Sequence, residues 1–171
     1  MDWKRILVPH DFGGCAQKAE KLAIELALLH GATLLLVHVT ELPHGLSPAT
    51  MISPEGAGVP TSIELYVTDS IRAKLEEVAE PIRRVKIPVE SHPVIGDTAP
   101  AIVDAAKRLG ANLIVMGTHG RRGLSHLLLG SVAEKVLRLS PVPVLTVRSP
   151  ESESDARHPQ DHRAHGGDRS G

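Results

Sequence analysis

Apolar positions along the chain alternate between short unbroken runs and longer stretches with helical spacing. Ile6-Leu7-Val8 is such a run and predicts a first strand. Ala16, Ala19, Ala23, Leu26 and Ala27 then recur on one helical face, and Gly31 follows His30 as a stop, predicting a helix over 15–30. The continuous run 33–39 predicts a strand buried on both faces, as parallel strands are. Residues 40–60 carry four prolines and three glycines, a loop of a length that is usually functional or mobile. Thr61 and Glu64 then resemble a capping box that opens a helix along Ile63, Val67, Ile71, Leu75, Val78 and Ile82, which Pro81 should kink or end. A weaker strand is expected at 89–94. Gly96-Asp97-Thr98-Ala99-Pro100 next supplies a turn, a cap and a first-turn proline for a helix ending at Gly110. Leu113-Ile114-Val115-Met116 is the clearest buried strand, Ser131 with Glu134 forms a second possible capping box, and 142–147 closes the pattern as a strand.

This strand-helix alternation calls for an α/β fold, a single parallel sheet with right-handed crossovers and helices on both faces. In such a sheet the ligand crevice lies at the carboxyl ends of the strands. Three segments fall there: Pro9-His10-Asp11, Val39-Thr40-Glu41, and the stretch from Gly117 onward.

Composition narrows the function. Of the 171 residues 42% are hydrophobic, but one Trp, one Phe and one Tyr leave the core to aliphatic side chains and exclude a base-stacking reader of single-stranded nucleic acid. With 19 Lys+Arg against 20 Asp+Glu, no overall field draws the chain to nucleic acid or to a membrane surface. No apolar run reaches the ~18 residues of a membrane span. The single cysteine, Cys15, rules out a disulfide framework and any CxxC motif, and the first apolar run is too short for a signal peptide, so a cytoplasmic location is expected. Residues 149–171, rich in Ser, Asp, Arg, His and Gly, have no buried payload to offset their ordering entropy. The expectation is a folded domain over 1–148 and a disordered polar tail over 149–171.

The segment from Gly117 to Ser131 is the one that carries chemistry. Gly117 and Gly120 stand three apart just after a strand, and Gly130 stands beside a serine that can open a helix. Glycines let a backbone approach an anion, and a helix start offers unpaired N–H groups, so the stretch can cradle phosphate without a lysine. The same glycines can equally be turn and cap positions. Neither GxxxxGK[ST] nor GxGxxG occurs, which removes the main support for a P-loop or a standard dinucleotide fold.

The spacing Gly117-x2-Gly120-x9-Gly130-Ser131 resembles the nucleotide-binding signature of the universal stress protein family, in its ATP-binding branch. Four further blocks agree with it in order: Ile6-Leu7-Val8-Pro9-His10-Asp11, Leu36-Val37-His38-Val39, Leu113-Ile114-Val115-Met116-Gly117 and Pro143-Val144-Leu145. The resemblance implies a Rossmann-like, doubly wound five-stranded sheet of order 3-2-1-4-5. It also implies ATP as ligand, with Mg or Mn bound through its phosphates, a stress-response regulatory role, and a homodimer through the last strand, 142–147. Pro9, His10 and Asp11 fall on the first-strand block of the pocket, and Val39 on the position whose backbone meets adenine. Met116, Gly117, Gly120, Gly130, Ser131 and Val132 match the ribose and phosphate positions. The family's usual serine after Asp11-Phe12 is Gly13 here, which leaves the first helix less capped.

Other candidates read more plainly. Arg121 and Arg122 can reach phosphate, though loop arginines are commonly solvated, and His119 and His126 lack the acidic partners of a metal site. Phosphoryl transfer needs a cation clamp and a residue that orients the nucleophile, so at most slow ATP hydrolysis is expected. A dimeric interaction protein that binds no nucleotide is the alternative.

Overall fold

The computed structural model describes residues 2–54, 59–118 and 129–148. Gly120, His119, Arg121, Arg122, His126 and the segment 149–171 lie outside the described residues.

In chain order the elements are β1 (Arg5–Pro9), α1 (Gly14–His30), β2 (Thr33–Thr40), β3 (Met51–Ile52), β4 (Thr61–Ser62), α2 (Ile63–Arg84), β5 (Val89–Ile95), α3 (Thr98–Arg108), β6 (Leu113–Gly117), α4 (Ser131–Leu139) and β7 (Val144–Val147). Five strands form one sheet in the order β5-β2-β1-β6-β7, every neighbouring pair parallel. Counted among those five alone, the order is the expected 3-2-1-4-5.

The strand pleat divides the core. Ile6, Val8, Leu34, Leu36, Leu113 and Val115 point to one face and pack against Ala19, Ala23 and Ala27 of α1 and Leu75, Ala79 and Ile82 of α2. The alternate residues Leu7, Leu35, Val37, Ile114 and Met116 point to the other face, against α3 and α4. Each fully buried leucine or isoleucine contributes about 1.5–3 kcal/mol. The alanine stripe lets α1 approach the sheet closely, and at Gly117 that approach is decisive. A Cβ there would stand 2.8 Å from Cys15 Cβ and 2.9 Å from the Cys15 carbonyl carbon.

Local signals were displaced where tertiary contacts outweighed them. The α2 cap is Ser62, whose hydroxyl accepts from the Leu65 N–H at 3.2 Å. Thr61 and Ser62 together form β4, which pairs antiparallel with β3, so a small ribbon ties the 40–60 segment to the start of α2. Pro81 does not end α2, which runs on to Arg84 because Ile82, 1% exposed, is anchored on the sheet. Ser131 is the first residue inside α4 rather than its cap, and Gly130 holds the cap position. β5 extends one residue further than expected, to Ile95, and β7 begins at Val144, two residues later, since Ser140 ties Val142 into a turn through its hydroxyl.

Candidate functional site

The sheet's carboxyl edge is where β1 and β6 leave for opposite faces, β1 into α1 and β6 toward α4. Two buried polar residues occur among those described, His10 (3% exposed) and Thr118 (2%), and they sit just past the ends of these two strands. A buried polar group has to be satisfied, so these two mark where the chain spends its hydrogen bonds.

Thr118 joins three elements. Its N–H donates to the Val147 carbonyl of β7 at 3.0 Å, and its carbonyl accepts from Gly130 N–H at 2.8 Å. This second bond brings the start of α4 to the tip of β6. It also spends the Gly130 N–H, so the donors left to a ligand by the first turn come from Ser131 onward. The first bond within α4 runs from Glu134 N–H to the Gly130 carbonyl. Ser131 is exposed and Val132 half-buried against the α3/α4 core.

β2 extends beyond β1: Pro9 pairs with Val37, while Val39 and Thr40 continue alongside β5. The Val37 carbonyl accepts from His10 N–H at 2.8 Å, so it faces β1. By the alternation of a strand, the Val39 N–H and C=O face the same way, past the point where β1 ends. Pleat parity also puts the side chains of Pro9, Val39 and Met116 on the α3/α4 face, together with the α4 terminus. Six of the candidate residues, Pro9, Val39, Met116, Gly130, Ser131 and Val132, thus lie toward one face at the carboxyl edge of the sheet. His10 and Gly117 belong to the other face, toward α1.

Asp11 accepts the Gly13 N–H at 2.9 Å, closing a turn at the lip of the crevice. Gly13 caps α1 without a side-chain hydrogen bond, as its replacement of a serine implied. On the far side, Glu41 after β2 accepts from the Thr98 backbone N–H at 3.0 Å and from the Thr98 hydroxyl, doing for α3 what its cap residue Asp97 does not. The Thr98 hydroxyl, then its backbone N–H, lower the Glu41 pKa below the ordinary carboxylate range. A lowered acid pKa means this link holds at neutral pH and is lost only in acid.

The sequence places Glu41 and Thr118 in strand-end segments without marking either residue, and Glu20 is not singled out at all. Glu20 nonetheless had a signal: it falls on the line Ala16, Ala23, Ala27 of the buried helical stripe, where a carboxylate requires a partner. That partner is His10.

Residues 2–148 match the universal stress protein family. The chain belongs to that family. It is 31% identical over 155 residues to universal stress protein MJ0531 of Methanocaldococcus jannaschii, covering 88% of this chain and 85% of that one. A universal stress protein of Thermus aquaticus is 34% identical over 151 residues, covering 85% and 99%. Among solved structures, MJ0577 of M. jannaschii superposes with a TM-score of 0.71 at 27% identity, covering 89% of this chain and all of that one. The Archaeoglobus fulgidus universal stress protein in complex with dAMP superposes at 0.57 and 27% identity, covering 85% and 98%. In this universal stress protein, then, three strand tips, one helix terminus and the tie at Thr118 meet at the carboxyl edge of the sheet.

Proposed function

We propose that this universal stress protein binds ATP in the crevice and acts as a stress-response regulator. The observation that carries the reading is the convergence of an outward-facing backbone N–H and C=O at Val39, an aliphatic wall from Met116 and Val132, and the first-turn donors of α4. A backbone N–H and C=O on one residue complement the acceptor and amino donor on adenine's edge. The helix start suits phosphates through its unpaired N–H groups and its dipole. The dAMP held by the A. fulgidus relative supports an adenine nucleotide as the ligand class.

Mg or Mn is proposed to bind through the phosphates of the ATP; among the described residues there is no group of three or more His, Cys, Asp or Glu side chains that could hold a metal ion. ATP turnover is read as slow, a timer for the bound state. A steady-state rate above about 1 per second would replace this reading with an enzymatic one. No helix among the described residues is long and apolar enough to cross a membrane, and the cytoplasm is the proposed location.

Mass spectrometry of the gently purified, then denatured protein tests the binding claim. ATP or ADP should be recovered. An empty protein that also gives no calorimetric response to added ATP would instead support an interaction module without nucleotide.

The partner proposed is a second copy. β7 is an outer strand of the sheet and Leu145 is 37% exposed on it, a strand edge and apolar side chain suited to pairing across a two-fold. Leu145→Lys is expected to shift the protein from dimer to monomer in sedimentation at micromolar concentration. An unchanged dimer would move the interface elsewhere.

A further inference from the structure

Every polar group of His10 is spent inside the fold. Its N–H donates to the Val37 carbonyl at 2.8 Å, and its carbonyl contacts the His38 ring Nδ1 at 2.6 Å, 28 residues along the chain. In its ring, Nδ1 faces the Phe12 backbone N–H at 3.2 Å and Nε2 faces Glu20 Oε2 at 3.1 Å. An amide N–H can only donate, so Nδ1 must be the acceptor. The ring is therefore neutral, its proton on Nε2 and shared with Glu20.

Phe12 is the residue this arrangement holds in an unusual state. Its φ is 64°, a left-handed conformation strained for a bulky side chain. Its ring lies against both histidines, with centroids 5.2 Å from His10 and 4.8 Å from His38. The next bond along is the one from Gly13 N–H to Asp11, at the lip of the crevice. A cleft of about 300 Å³ between α1 and α2, bordered by His10, Glu20 and Lys21, brings solvent to the pair.

We infer that His10 is a positioning residue, not a ligand: its neutral Nε2–H form holds the strained 11–13 turn, and protonation of Nδ1 releases that turn and weakens nucleotide binding. The inference rests on the nucleotide reading above and adds its regulation. A second proton turns Nδ1 into a donor facing the Phe12 donor, and that contact becomes repulsive. Among the described residues that border the cleft with His10, the charged groups are Glu20, which favours the second proton, and Lys21, which opposes it, both from α1. β2 contributes the His38 ring, and α2 contributes the apolar Val78 and Pro81. Two states of one ring thus give two states of the turn.

ATP affinity of the full chain is measured by calorimetry at pH 7.5 and 5.5, for the parent and for His10→Asn. The asparagine carbonyl can accept from Phe12 N–H but does not titrate, and the titration of ATP itself is common to both proteins. The parent should lose about tenfold more affinity than the variant on acidification, the worth of one hydrogen bond turned repulsive. Glu20→Gln removes the charge that favours the second proton, so its loss should move to lower pH. Ring ¹⁵N shifts should report the Nε2–H form at pH 7.5, with the Phe12 amide resonance moving as His10 titrates. Equal pH dependence in parent and His10→Asn, or an Nδ1–H ring, overturns the inference. If no ATP binds at either pH, the nucleotide reading fails by itself. The ring tautomer and the Phe12 amide still decide whether His10 holds the turn, and a motionless amide would overturn that too.

Discussion

Replacing Gly117 with alanine is expected to destabilise the fold by about 1–3 kcal/mol, a fall in melting temperature of roughly 2–12 °C. The added Cβ would meet Cys15 at its Cβ (2.8 Å), its carbonyl carbon (2.9 Å) and its carbonyl oxygen (3.1 Å). None of these is the tip of a flexible side chain. Relief requires the first turn of α1 to lift from the end of β6, against the packing of Ala16, Ala19 and Ala23. Urea unfolding measures the loss, and a double-mutant cycle assigns it. In a Cys15→Gly background the same substitution should cost less, though not nothing, since the backbone contacts remain. A loss below about 0.5 kcal/mol would mean that α1 yields freely, and Gly117 would then need another reason to be glycine.

Gly130 should behave in the opposite way. Its φ of −61° and ψ of 145° are open to any residue, so backbone conformation does not impose glycine there. Gly130→Val should cost about 1 kcal/mol of stability, the difference between a tolerable and a poor cap residue. ATP affinity should fall between about tenfold and a hundredfold, because a branched side chain beside the Ser131 and Val132 donors forfeits about 1.5–3 kcal/mol of charge-assisted hydrogen bonding. Calorimetry on the folded variant decides. Unchanged affinity would remove the phosphates from the start of α4.

The two glycines read alike in the sequence, both part of one spacing, yet they answer to different forces. Gly117 is fixed by its approach to Cys15, a contact across about a hundred residues of chain that no local pattern records. Gly130 is left with a conformation open to other residues, and the ligand is its proposed reason. Capping shows the same limit. Thr61 and Ser62 are equivalent on paper and both pair with β3, but α2 begins at Ile63, so Ser62 holds the cap position and its hydroxyl accepts from Leu65 N–H. At α3 Asp97 holds the cap position without a side-chain hydrogen bond, and the side chain that satisfies the helix start is Glu41, 57 positions from Thr98.

The sequence by itself determined the order of elements, the parallel sheet with helices on both sides, the aliphatic core and the strand tips from which a crevice could be built. Those follow from periodicity, which is local and survives in one dimension. Tertiary structure decided on which face of the sheet each tip residue lies. Pro9, Val39 and Met116 share a face with the start of α4 because β6 crosses over to that side, whereas β1 turns the other way into α1. That choice separates His10, one residue from Pro9, from the crevice and seals it among Val37, His38, Phe12 and Glu20. From its place beside Pro9 the sequence reads His10 as a candidate ligand, and only the crossover fixes which side its ring takes. There every hydrogen-bonding group of the ring is engaged, and the role proposed for it is a strut for the 11–13 turn.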